Sequence, residues 1–300
     1  MANSEVLSKT ILSDSSNCFS PMCKKDSRED TKLNMFPNIV ICFYLFCITG
    51  SEGFSELSIG YSRFGKIVNP QASVQPGDFP SLVSIQQFGS FGWTHVCGGV
   101  IYNSLHILTA ASCVKGVPLA NITVTAGEHQ LSTTDSNEQR RSVLSSSIHW
   151  LYNAKTKEND IALLKVDLSF ALNNYVAVVN LPQLDEETNE GLEATLVGWG
   201  TSSFTDTLLS DVPQKTQLPI LSDATCRQAY SSSEIVDSMI CAGGDSSGFC
   251  QGDTGGPLYI GSSQKLVGIV SWSAGCAYPG YPGVYTEVSQ YVQWLENNSK

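Results

Sequence analysis

The stretch "GFCQGDTGGPL", residues 248–258, decides how the rest of the chain is read. A cysteine, a glycine-rich turn, a proline and an apolar residue describe a tight loop that leads into a strand. Gly252 lets the backbone turn sharply enough for its own N–H and that of Thr254 to converge on one oxygen. Such paired donors suit chemistry in which negative charge develops on a carbonyl oxygen. Alone, a glycine turn is equally the mark of an ordinary loop. Two other stretches supply its context: "LTAASC", residues 108–113, and "NDIALLK", residues 159–165.

The body of the chain, from Ile67 onward, reads as short strands and turns. "FPSLVSIQ", "CGGVIYNSLHILTA", "ITVTAGEH", "ATLVGWG", "KLVGIVSW" and "GVYTEV" are β-branched or apolar runs bounded by Gly, Ser, Asn and Pro. Turn signals at this density point to barrels or sandwiches rather than to a parallel sheet with helices. Only the C-terminal end reads clearly as a helix, with Val288, Tyr291, Val292 and Leu295 at helical spacing.

Hydrophobic residues make up 42% of the 300 and charged residues only 15%, which excludes a disordered tail and predicts a large packed core. The net charge is −11, and the first 66 residues are balanced. The excess therefore falls on residues 67–300, with 10 basic and 21 acidic side chains. Phosphate binding needs clustered Lys and Arg, so nucleic acid is excluded as a partner.

Upstream, "IVICFYLFCI", residues 39–48, is too short for a membrane-spanning helix and suits the apolar region of a signal peptide. Met35 stands four residues before it. The expected organisation is an unstructured leader over 1–34, a signal peptide over 35–52, a propeptide over 53–66 and a folded domain over 67–300. An uncleaved signal anchor is the alternative. Six cysteines follow this region: Cys97, Cys113, Cys226, Cys241, Cys250 and Cys276. In an exported chain an even set predicts three disulfides, whose pairing the spacing leaves open. No Cys/His spacing resembles a zinc site. With a signal peptide and paired cysteines the chain is expected to be secreted and extracellular, where Asn121-Ile-Thr becomes meaningful as a glycosylation sequon.

Hydrolysis of a peptide needs a nucleophile, a base, an anion that orients the base, and oxyanion donors. On "GDTGGP", "NDIALLK" and "LTAASC" the chain resembles the trypsin-like serine proteases. The texture of "SDATCRQAY", "VDSMICAG" and "YPGVYTEV" is similar to arthropod digestive trypsins. The resemblance covers residues 67–300. It implies an all-β fold of two packed six-stranded antiparallel barrels with a C-terminal helix, and the pairs Cys97–Cys113, Cys226–Cys241 and Cys250–Cys276. It places the catalytic aspartate on Asp160, the nucleophile on Thr254, the oxyanion donors on Gly252 and Thr254, and the histidine position on Ser112.

Two substitutions thus fall on the chemistry. A serine hydroxyl binds no proton near neutral pH, so Ser112 cannot act as a general base. Thr254 keeps a hydroxyl but adds a methyl that stiffens χ1 and crowds attack. The remaining histidines, His95, His106, His129 and His149, do not align with the missing one. The specificity pocket is expected from Gly248, Phe249, Ser273 and Gly283. Gly248 stands where trypsins carry the aspartate that pairs with Lys or Arg. Lys66 and Ile67 match the activation junction, and Asp253 matches the aspartate that receives the new N-terminus.

The resemblance therefore implies a secreted, degenerate protease homologue that acts by binding, as a decoy or as a cofactor in proteolytic or immune pathways. The alternative is a serine endopeptidase with residual or altered activity. The expected partners are protein or peptide ligands: substrates, protease inhibitors or cascade components. No membrane partner is expected once the signal is removed, and a monomer is expected. No cofactor is required. One structural metal, calcium, is a candidate at Glu128, Gln130, Thr133 and Glu138, with Asp135 acting through water; a solvated acidic hairpin is the other reading of that loop.

Overall fold

Along Gln214–Leu221 every second side chain is buried, the period-two pattern of a strand with one face on a core. Other strands, such as Ile122–Ala126, are buried at every position, and together thirteen strands build the computed structural model, which describes residues 72–203, 205–230 and 234–300. The expected leader, signal peptide and propeptide, with Lys66 and Ile67, lie outside the described residues.

The strands are β1 (Ala72–Ser73), β2 (Leu82–Gly89), β3 (Gly92–Asn103), β4 (His106–Thr109), β5 (Ile122–Ala126), β6 (Gln139–Ile148) and β7 (Ala162–Val166). They continue as β8 (Glu193–Gly198), β9 (Gln214–Leu221), β10 (Met239–Ala242), β11 (Pro257–Ile260), β12 (Lys265–Trp272) and β13 (Gly283–Glu287). One closed barrel runs β2-β3-β4-β7-β6-β5, and Ile85 pairs with Cys97 on one side and Val124 on the other. The second runs β9-β10-β13-β12-β11-β8, closed by β8 on β9, with β1 added to β9. All strand pairings between these elements are antiparallel, as expected for the all-β architecture of two six-stranded barrels.

The first barrel is filled by Val83, Ile85, Val100, Ile107, Leu108, Val124 and Leu164, in a cluster that continues into Trp199 and Tyr259. The second is filled by Leu196, Ile220, Leu258, Val270 and Tyr285. Each such fully buried aliphatic side chain stabilises the fold by roughly 1.5–3 kcal/mol. The expected C-terminal helix is a short 3-10 turn, Val288–Tyr291, that continues as α2 (Val292–Asn298), with Val288, Tyr291 and Leu295 in the core cluster. A second helix, α1 (Asp223–Ala229), adds to that expectation. At seven residues it buries only Cys226, too little for an apolar stripe, and the Ser222 hydroxyl caps it by accepting from the Thr225 N–H.

Candidate active-site cleft

The chain leaves β4 through Ala110, Ala111 and Cys113, all buried, and Cys113 is bonded to Cys97 on β3. Ser112, inside this 3-10 turn, is left facing the cleft, half-exposed. Its backbone N–H donates to Oδ1 of Asp160 at 2.7 Å and its hydroxyl to Oδ2 at 2.9 Å. Asp160 is 0% exposed, and Oδ2 also accepts from Ser271 Oγ at 2.7 Å. Thr286 Oγ1 donates to the Asp160 carbonyl at 2.8 Å. Burial pushes the Asp160 carboxyl up; the bonds from Ser271 and Ser112 pull it back down.

Tyr152 extends this network through a hydrogen bond to Ser112, and Lys157 Nζ lies 3.5 Å from the Tyr152 hydroxyl. Burial, with the charge of Asp160 second, pushes Tyr152 up to about 12. The phenol is therefore protonated at neutral pH and offers no base, and neither does Ser112. No local pattern in the sequence marks Tyr152 or Lys157. Ser271 lies in the quoted strand run "KLVGIVSW", but its partner is 111 residues away.

Thr254 sits on the turn before β11. Gly252 has φ +98° and Gly255 φ +79°; a Cβ on Gly255 would lie 2.2 Å from Thr109 Oγ1 and 2.6 Å from the Gly98 carbonyl. Only glycine fits there. The Gly98 N–H holds the Thr254 carbonyl at 2.8 Å. Among the described residues, the N–H groups of Gly252 and Thr254 have no acceptor, as an oxyanion site requires. Asp253 is 1% exposed, and burial raises it to about 7 against the N–H bonds from Cys250 and Gly200.

Beside Thr254 lies a cavity of about 230 Å³, lined by Phe249, Gln251, Ser271, Trp272 and Ser273 among others. Phe249 is 6% exposed and meets Tyr285 edge-on at 5.4 Å. Gly283 backs its ring: a Cβ there would stand 2.6 Å from Cε1. Gly248 faces Ala277. Phe249 and Ser273 thus line the cavity directly, whereas Gly283 makes room for the ring. Among the described residues that line it there is no carboxylate, and Phe249 and Trp272 set apolar rings beside the hydroxyls of Thr254, Ser271 and Ser273.

His95, His106 and His149 are engaged elsewhere. His95 bridges Ser84 Oγ at 2.8 Å and the Gly252 carbonyl at 2.9 Å, and burial lowers it to about 4. His149 packs on Tyr291 and Trp294, and His106 bonds Asn103. The pairs Cys97–Cys113, Cys226–Cys241 and Cys250–Cys276 are all formed. Asn121 ends a 3-10 turn, and the sequon's Thr123 is buried with its hydroxyl accepting from Arg140.

In the loop after β5, Glu128 Oε1 is buried without a partner. Burial first, then the charges of Glu138 and Asp135, raise Glu128 to about 7; burial also raises Glu138. Among the described residues no three or more His, Cys, Asp or Glu side chains are placed to hold a metal. A cation here would rest on two carboxylates and on carbonyls such as those of Gln130 and Thr133, an oxygen set that fits calcium.

The family model described as Trypsin matches residues 68–295. Trypsin-1 of Astacus astacus is 43% identical over 231 residues, covering 74% of this chain and 96% of its own. Trypsin I-P1 of Gallus gallus is 41% identical, covering 67% and 79%, and Trypsin eta of Drosophila melanogaster 38%, covering 68% and 76%. Together with the paired barrels around one cleft, these matches show that the chain belongs to the trypsin family of serine proteases.

Proposed function

We propose that this protein binds peptides and proteins in its cleft without cutting them. The observation that carries the reading is the saturation of Asp160. Both its oxygens already accept from Ser112 and Ser271, and a hydroxyl stands where the family places an imidazole. No group bonded to Asp160 takes up a proton near pH 7, so the Thr254 hydroxyl is not activated. Loss of a triad base lowers turnover on the order of a million-fold in subtilisin. Secreted and extracellular, as its relatives' family implies, the protein captures substrates or protease inhibitors, as a decoy or a cascade cofactor. Calcium, bound at Glu128 and Glu138, stiffens the scaffold.

The test is titration with a fluorophosphonate probe after cleavage at Lys66. No labelling of Thr254 is expected, and stoichiometric labelling overturns the reading. Residual hydrolysis by Thr254 is the second reading, favoured by the free N–H groups of Gly252 and Thr254; partial labelling is its signature.

A further inference from the structure

Three lysines gather at one end of the cleft. Lys115 Nζ lies 4.9 Å over the ring of Tyr152, and Lys157 Nζ is 3.5 Å from the hydroxyl of the same tyrosine. Lys155 and Lys157 line a cavity of about 410 Å³ together with Thr156, Glu234 and Trp272. Trp272 also lines the smaller cavity beside Thr254, so the two neighbour one another across a single indole. Three of the 10 basic side chains in residues 67–300 are thus concentrated in a domain with 21 acidic ones.

The backbone that carries Lys155 and Lys157 is well braced. The turn is braced by Lys155 N–H to Asn153 Oδ1 at 3.0 Å, Lys157 N–H to the Asn153 carbonyl at 2.8 Å, and Asn153 N–H to the Glu158 carbonyl at 3.0 Å. Lys157 adopts φ +60°, a backbone conformation most residues avoid, which gives the turn a sharp course. Among the described residues none of the three lysines makes an ion pair. The carboxylates nearby are Glu158 within the turn, Glu234 on the cavity wall and buried Asp160. A negative ligand is repelled by most of this surface and attracted here, which steers it to one place. Lysine ammonium groups are compact charges that accept carboxylates without a fixed fork geometry. Trp272 supplies an apolar wall for the stems of long acidic side chains.

We propose that the Lys155–Lys157 turn, with Lys115, makes this cleft selective for peptides that carry Asp and Glu beside a small apolar residue, the apolar residue entering the cavity at Phe249. The inference rests on the peptide-binding reading above. It is tested on the full chain by calorimetric titration of two peptides, Ac-Glu-Asp-Glu-Val-amide and its isostere Ac-Gln-Asn-Gln-Val-amide. The acidic peptide should bind about tenfold more tightly at roughly 20 mM salt, and the advantage should shrink below about threefold at roughly 0.5 M, where charges are screened within a few ångströms. The double variant Lys155→Gln/Lys157→Gln, which keeps Lys115, should narrow the preference for the acidic peptide to below about threefold at roughly 20 mM salt, and an undiminished preference overturns the assignment to this turn. Lys165→Gln, on β7, should keep the preference. Equal binding of both peptides by the unmodified protein overturns the acidic selectivity and leaves the peptide-binding reading standing. Failure of both to bind overturns the peptide-binding reading itself, and the selectivity with it.

Discussion

Ser112 holds Asp160 twice, by its backbone N–H at 2.7 Å and by its hydroxyl at 2.9 Å. A side chain with no basic atom thus leaves both oxygens of the carboxylate satisfied. The expected consequence is that restoring chemistry takes two changes at once. Ser112→His/Thr254→Ser should raise kcat/KM on small apolar esters by on the order of a thousand-fold, with either change alone within about tenfold of wild type, because triad members act as a unit. Ester hydrolysis by Lys66-cleaved variants checks this.

Asp160 should be sensitive to the loss of a donor. Ser271→Ala removes a bond to a buried carboxylate and should cost about 1–3 kcal/mol in urea denaturation. The sign follows from the raised carboxyl. Burial has already pushed Asp160 above its ordinary value, so its contribution to stability is lost as pH rises through the folded value. Without Ser271 that loss should move to higher pH.

Glu128 gives a second, cleaner titration. Its folded pKa of about 7 exceeds the ordinary 4.5, so calcium-free protein should lose stability as pH rises from the lower value through the higher. Calcium neutralises the site and should remove that loss. Millimolar calcium should therefore raise Tm of chelator-treated wild type, more at pH 8 than at pH 5, but not of Glu128→Ala or Glu138→Ala. Differential scanning calorimetry reads all of these.

Gly283 reports on the pocket. Gly283→Ala sets its methyl 2.6 Å from the buried ring of Phe249 and should cost about 1–3 kcal/mol by overpacking. Phe249→Leu should recover most of it, a coupling that thermal melts of the double variant reveal.

The fold was readable because its signals are local: strand runs, turn residues and the cysteines around "GDTGGP". That Asp160 and Ser112 share one site was readable by position within such stretches. Ser271 and Thr286 were not, since each meets Asp160 across more than a hundred residues and only closure of the second barrel brings them there. Tyr152 and Lys157 were hidden differently. They lie within ten residues of Asp160, but nothing in a tyrosine or a lysine marks it as facing a cleft. Likewise α1 was missed because seven residues carry a cap and one buried side chain, not a periodicity.

The two barrels fasten each other through the residues of the cleft. Asp160, just before β7 of the first, is gripped by Ser271 and Thr286 of the second, and Thr254, on the second, is held through its carbonyl by Gly98 of the first. These positions therefore carry a mechanical duty that is separate from any reaction. Exchanging Asp160 strands hydroxyls of both barrels, whatever the chemistry of the cleft. Among the described residues Ser112 bears no such load from the second barrel, so exchange there leaves the seam between the barrels intact. Tolerance is thereby directed toward position 112, while the aspartate is retained by the seam alone.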